Sequence, residues 1–309
     1  VSEVKSMHKI SFFSYKGGSG RSSTLINIVP FLIKELKADC NHPIILLDMD
    51  IDSTGLTYLL HQGDKVRTGL SIQKIMVDGV PGGNNFQRKL EEHQFFSNLL
   101  KVGSEFHCED GAVLLLPAEA GVSVGKDGTN KNMTNRDSGH IEKIIDVCER
   151  YDCAAIVFDS SAGDQDTANV SNGKADVIVC CMRPTIQFQE GTLDYFKRMS
   201  RIIRNRDVIL LPNAVSRTNT NVDGKVYPIT AKNRIIDAFD NNFPETGNTI
   251  HFDAMTGSHF GIPLVRRFLW QESILANLDA DALAEDEKEA IEMYQQVASM
   301  IYKYGQNGG

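Results

Sequence analysis

Lys16, Gly17, Gly18, Ser19, Gly20, Arg21, Ser22 and Ser23 bring glycines, two cations and three hydroxyls into one short stretch. Glycines let a backbone take positive φ and turn successive N–H groups inward, which makes a concave site for an anion. The segment before them, Ile10–Tyr15, is apolar and β-forming, and Thr24–Val29 behind them has the apolar spacing of a helix. Strand, tight loop and helix therefore follow in that order. The helix start adds free N–H groups and its positive dipole end. A phosphate chain is the ligand that suits this chemistry. A plain glycine turn is the simpler alternative, and the flanking cations and the serines at the helix start speak against it.

Two further segments end in carboxylates. Ile44-Ile45-Leu46-Leu47 is a continuous apolar run, as expected of a parallel strand buried on both faces, and it delivers Asp48-Met49-Asp50-Ile51-Asp52. Ala154–Phe158 likewise delivers Asp159, followed by Ser160-Ser161-Ala162-Gly163. Open α/β sheets bind ligands at the carboxyl ends of their strands, so these groups are expected beside the glycine loop. An aspartate placed like Asp159 orders a magnesium-bound water.

Taken together, the three motifs resemble those of the ParA/MinD family of dimerising P-loop ATPases. Lys16–Ser22 is similar to K-G-G-x-G-K-[ST], the deviant Walker A motif, and Asp48–Gly55 resembles D-x-D-x-x-G. Asp159–Gly163 resembles D-x-P-x-G. There are three departures: Arg21 replaces the loop lysine, Gly55 falls one place late, and Ser161 replaces the proline.

The resemblance implies ATP and Mg2+ as cofactors and a homodimer across the nucleotide. It implies that Lys16 reaches the partner's phosphates, while Gly17, Gly18, Ser19, Gly20, Arg21, Ser22 and Ser23 hold the subunit's own. Ser22, Asp48 and Asp159 would surround the metal, and Asp50 would polarise the attacking water. Gly163 would offer an N–H to the γ-phosphate. Asn213 would read the adenine edge, with Pro263, in Gly261–Leu264, in the base loop. The implied function is a nucleotide-switched ATPase that positions a cargo or regulates a protein partner.

Arg21 also opens a second reading. Its guanidinium keeps the charge but is broad and planar where lysine is a compact point. A non-hydrolysing adaptor resembling the TadZ/CpaE-type localisation proteins is therefore a rival. A dinucleotide oxidoreductase fits worse, because Gly18–Ser23 lacks the third glycine of that fingerprint and Lys16 and Asp159 go unexplained.

The elements that must position these residues follow from the rest of the chain. Apolar strand-like runs alternate with helical patterns, which predicts a doubly wound, mostly parallel α/β sheet with helices on both faces, a P-loop NTPase fold spanning 1–309 as one domain. The first helix is expected over Ser22–Lys37, kinked or cut short at Pro30. A hairpin is expected at Val222–Val226 and a last helix at about 281–304. Pro81–Gly103 reads as a loop and a helix, Gly121–Gly139 as a surface loop, and Gly305–Gly309 as a frayed tail.

Composition limits the partners. The 309 residues are 41% hydrophobic and 23% charged, ordinary for a globular chain. A net charge of −8 speaks against indiscriminate nucleic-acid binding. One local basic patch, Lys197, Arg198, Arg201, Arg204 and Arg206 on an expected helix Glu190–Arg206, is compatible with non-specific DNA contact and equally with a solvated face. No apolar run reaches membrane-spanning length and no secretory segment is evident, so a cytoplasmic protein with no membrane partner is expected. The six cysteines include no C-x-x-C pair and read as buried free thiols.

Overall fold

The computed structural model describes residues 6–60, 70–78, 94–119, 135–256 and 260–306. The expectations for 81–93, 121–134 and 307–309 lie outside the described residues. The strands are β1 (His8–Ser14), β2 (Ile44–Asp48), β3 (Leu100–Lys101), β4 (Val113–Leu116), β5 (Ala155–Ala162), β6 (Val177–Met182), β7 (Asp207–Pro212), β8 (Thr220–Val222), β9 (Lys225–Tyr227) and β10 (Thr249–His251). The helices are α1 (Arg21–Leu36), α2 (Gly55–Leu59), α3 (Ile72–Asp78), α4 (Asn135–Arg150), α5 (Asp166–Lys174), α6 (Ile186–Met199), α7 (Ile229–Asn242) and α8 (Glu285–Gly305).

Eight strands form one sheet in the order β10-β7-β6-β1-β5-β2-β4-β3. Every pair is parallel except β3 on β4. The apolar runs explain why. In β2, Ile44 and Leu46 face a core shared with Leu25 and Leu32 of α1 and Tyr294 and Ile301 of α8. Ile45 and Leu47 face the opposite core, with Ile141 and Ile144 of α4. β6 divides the same way, Val179 and Cys181 going to the α1 side and Ile178 and Cys180 to Phe196 of α6 and Phe239 of α7. A strand covered by helices on both faces has no solvent side, so alternation disappears from its sequence. The fold is the doubly wound, mostly parallel sheet of P-loop NTPases.

The connections place the site. From β1 the chain passes through α1 to β2, then returns through β5, which lies between β1 and β2, before crossing to β6 on β1's other side. The carboxyl end of β1 is therefore the point where the winding reverses, and ligand crevices of open α/β sheets form at such points.

Four local expectations are corrected. α1 runs as one element through Pro30, so it is not cut short there. Proline removes a single intrahelical hydrogen bond, and the unbroken burial of Thr24–Leu32 holds the helix on both sides of it. α6 begins at Ile186 and ends at Met199, so Arg201, Arg204 and Arg206 lie in the turn that leads, through the left-handed Asn205, into β7. α8 begins at Glu285, where the Glu287 carboxylate accepts the Ala284 N–H at 2.8 Å. Cys148, Cys153, Cys180 and Cys181 are buried and free, but Cys108 is only partly buried and Cys40 is exposed.

The expected hairpin is present as β8–β9, turned by Asp223 and Gly224 at φ 51° and 74°. Among the described residues, no helix is long and apolar enough to cross a membrane.

Candidate functional site

The loop between β1 and α1 is held from the ends of β6 and β7. Arg183 donates from Nε to the Gly18 carbonyl at 2.8 Å. Asn213 donates from Nδ2 to the Ser19 carbonyl at 2.7 Å and to Thr24 Oγ1 at 3.0 Å. Gly20 has φ +77°, and a Cβ there would lie 2.6 Å from Asn213 Nδ2. Both the backbone conformation and the close approach require glycine. Tyr15, standing where ordinary P-loops have their first glycine, packs its ring against Gly191 of α6, where any Cβ would collide with it.

The carboxylates meet behind this loop. Parallel register sets Asp48 beside Asp159, and both are fully buried. Arg21 bridges two acids, donating from Nε to Asp159 Oδ1 at 2.6 Å and from Nη2 to Asp50 Oδ2 at 2.8 Å. Ser22 Oγ donates to Asp159 Oδ2 at 2.6 Å, and Ser53 Oγ to Asp50 Oδ2 at 2.7 Å. Asp48 accepts on Oδ2 from the Thr57 N–H and hydroxyl, at 2.9 and 2.6 Å.

Burial, with Asp159 and then Asp50 adding like charge, pushes Asp48 up to about 7 against the two Thr57 donors. Asp159 is also raised by burial, with Arg21 and then Ser22 acting against the shift. Burial acts to lower Arg21, yet the Asp159 and Asp50 carboxylates outweigh it and hold the guanidinium above its ordinary value.

A cleft of about 690 Å³ opens over these groups. Its floor is the loop Gly17–Ser23 with Asp50 and Ser53, and its far wall is Tyr58 and Leu59 of α2 with Gln271 and Glu272. α1 has Gly20 as its N-cap residue and no side-chain cap. Ser14 Oγ and Ser23 Oγ, both on cleft-lining residues, are buried without a partner. Uncapped helix N–H groups and unsatisfied hydroxyls on one concave floor fit a phosphate chain. Among the described residues no three His, Cys, Asp or Glu side chains are grouped as a metal cage. Magnesium in phosphate sites needs only one or two protein ligands beside phosphates and waters, and Ser22 with Asp159 fits that pattern.

The structure thus brings Gly17, Gly18, Ser19, Gly20, Arg21, Ser22, Ser23 and Asp50 to the cleft, with Asp159 and Asp48 behind them. It does not bring every candidate there. Lys16 is half-buried beside the loop and makes no hydrogen bond or ion pair among the described residues. Gly163 donates its N–H to the Ser14 carbonyl at 3.0 Å. Pro263 is buried and bridges to Val215, just past β7. The far wall and the supports Thr57 and Arg183 carry no signal in the sequence, because only folding brings them to the motifs.

The basic patch is largely neutralised. Arg198 pairs with Asp164 and with Asp194, the latter at 2.9 Å. Lys197 donates to Asn242 at 3.1 Å and approaches Glu245, and Arg206 donates to the Gly173 carbonyl at 2.7 Å. Arg201 and Arg204 are exposed and have no ion pair among the described residues.

No family model matches the chain, and no curated protein matches it. Solved structures do. McdA of Cyanothece, determined in complex with ATP, is 12% identical with a TM-score of 0.61, over 94% of this chain and 96% of that one. The MinC:MinD cell division protein complex of Aquifex aeolicus gives 17% identity and a TM-score of 0.58, covering 94% and 96%. Cobyrinic acid a,c-diamide synthase of Mycobacterium smegmatis, with bound ADP and magnesium, gives 13% and 0.56, covering 95% and 93%. The likeness is one of fold. A synthase and a cell division protein share it, so function rests on the site.

Proposed function

We propose that this chain is a ParA/MinD-like P-loop protein that binds ATP with Mg2+ and acts as a nucleotide-switched dimer on a cargo or a protein partner. The observation that carries the reading is the convergence on one cleft of the glycine loop, Asp50 and Ser22, the last bonded to Asp159 behind it. The nucleotide-bound structures of the same fold add weight. On this reading residues from β1 to α8 serve as one nucleotide-binding unit.

The roles follow from geometry. Loop N–H groups from Gly17 to Ser23 and the Ser14 and Ser23 hydroxyls bind the phosphates. Ser22 and Asp159 would hold the metal, and Asp48, buried beside Asp159 in the strand register, lies behind them. When bound, magnesium neutralises charge on the phosphate oxygens. Asp50, steadied by Ser53, orients water, and the Lys16 ammonium is available to a second copy. Gly163 would reach a phosphate only on releasing its bond to Ser14.

Binding is tested with labelled ATP, titrated with and without magnesium against wild type and Gly20→Val. The wild type is expected to bind with magnesium. The valine side chain, strained at φ +77° and driven into Asn213, should abolish binding while the circular dichroism spectrum is kept. Equal affinity in the two proteins would overturn the proposal. Light scattering of the same samples with ATP and with ADP tests the dimer, which is expected with ATP alone.

A second reading, the non-hydrolysing adaptor, is favoured by Arg21. Its guanidinium occupies Asp50 and Asp159 together, and these are the groups that would otherwise orient water and metal.

DNA contact through Lys197, Arg198, Arg201 and Arg204 is the partner reading with least support, since of these only Arg201 and Arg204 have no ion pair among the described residues. Two phosphate contacts per chain would give a slope of about −2 in log affinity against log salt. Arg201→Glu/Arg204→Glu should remove that binding. Absence of binding by the wild type at low salt leaves these side chains as a solvated surface.

A further inference from the structure

We infer that the far wall of the cleft, Tyr58 with Gln271 and Glu272, reads the nucleobase and selects a base that presents an amino group beside a ring acceptor, as adenine does. The inference rests on the nucleotide reading above.

The cleft is larger than phosphates require. At about 690 Å³ it lies within the range that encloses a whole small-molecule ligand, roughly 300–1,000 Å³. Beyond the glycine loop its lining includes Tyr58 and Leu59 of α2 and residues 271–272. Tyr58 is 57% exposed there, although its neighbours Leu56 and Thr57 are buried. Its ring contributes little to the core and presents a flat apolar face beside the cleft. Gln271 and Glu272 are exposed, and their side chains make no hydrogen bond or ion pair among the described residues.

This wall is fixed relative to the phosphate loop. Asn27 lies one helical turn beyond Ser23 on α1, and donates from Nδ2 to the Ser273 carbonyl at 3.0 Å. Its Oδ1 accepts the Leu275 N–H at 2.8 Å. The helix that presents the phosphate site thereby also holds the segment carrying Gln271 and Glu272.

The rival position is already engaged. Asn213 spends Nδ2 on the loop and Oδ1 on the Ala214 N–H at 2.7 Å. With Nδ2 committed to the loop it could offer a base only an acceptor, and has no donor left for the adjacent ring nitrogen. Pro263 is buried against Val215 and does not line the cleft.

The chemistry then sets the preference. A carboxamide offers a donor and an acceptor side by side, which matches the amino group and adjacent ring nitrogen of adenine. A carboxylate only accepts, so Glu272 takes an amino N–H and repels the O6 that guanine presents in its place. The Tyr58 ring stacks on the base.

Trp270 makes the test direct. It is the single tryptophan, 90% exposed, and adjoins Gln271 in the chain. Its emission is followed while ATP, GTP and tripolyphosphate are titrated with magnesium, and each affinity is also measured by calorimetry. All three should bind, but only the nucleotides should change the emission, and ATP should be favoured over GTP by roughly ten-fold, as one good hydrogen bond gives. Gln271→Ala/Glu272→Ala should bring that ratio near one, and Tyr58→Ala should weaken ATP about ten-fold. Neither should alter tripolyphosphate affinity. ATP binding with an ATP to GTP ratio unchanged in the double variant overturns this inference and leaves the nucleotide reading standing. Failure of both ATP and tripolyphosphate to bind the wild type overturns the nucleotide reading itself.

Discussion

Replacing Arg21 with alanine is expected to lower the unfolding free energy by about 3–5 kcal/mol, the usual cost of removing one partner from a buried ion pair. The Arg21 side chain is 7% exposed and meets Asp159, at 0%, and Asp50, at 13%. Without the guanidinium, Asp159 would keep Ser22 as its only side-chain donor among the described residues and would face Asp48 across the strand register. The Asp159 carboxyl would then have to be protonated or solvated. Urea unfolding measures this as a lower midpoint at unchanged slope. A loss below about 1 kcal/mol, the range of a surface pair, would show that the three acids do not depend on Arg21.

Arg21→Lys separates stability from chemistry. An ammonium keeps one charge but cannot span Asp50 and Asp159 with a planar fork. Asp50 is the more exposed of the two and is the one that would be released. If the adaptor reading is right, freeing Asp50 should create or raise phosphate release. Phosphate release that stays unchanged in this variant argues against Arg21 as the brake.

Much of this arrangement was legible in the sequence, and the rest was hidden for identifiable reasons. Ile44–Leu47 announced a doubly covered strand because its neighbours on both faces are apolar helices. Asp48 and Asp159 could be placed together because both end such strands. Nothing local announced that Arg21 lies across Asp159 and Asp50, since a residue's type does not say which of several acids it will meet. Asn213 resembled a base reader by its place after β7, and its bonds to Ser19 and Thr24 depend on how closely that strand end approaches the loop. The acids that neutralise Arg198, Asp164 and Asp194, lie one in the chain before α5 and one a helical turn away. Charge spacing along a single helix therefore overstated the patch. Tyr58, Gln271 and Glu272 belong to no motif. They line one cleft only in the folded chain, where Asn27 ties residues 273–275 to α1.

Removing the Asp50 carboxylate is expected to slow ATP turnover by about 10²–10⁴-fold, the range for a group that positions or deprotonates the nucleophile. Asp50 lines the cleft, and its Oδ2 is held by Arg21 and Ser53. Its Oδ1 takes no hydrogen bond among the described residues, so one oxygen fixes the carboxylate while the other is left to face water. In Asp50→Ala the loop and the Arg21–Asp159 pair remain, so ATP affinity should stay within a few-fold of wild type. Asp50→Asn keeps the shape and loses the charge, and should be nearly as slow. Ser53→Ala leaves the carboxylate in place but less constrained, and should cost roughly ten-fold or less, the worth of one hydrogen bond. Single-turnover phosphate release with ATP in slight deficit over protein reads all three without interference from product release. If the wild type is silent, the same series in the Arg21→Lys background is the informative one. Turnover in Asp50→Ala equal to its parent would take Asp50 out of the chemistry and leave it as Arg21's second anchor.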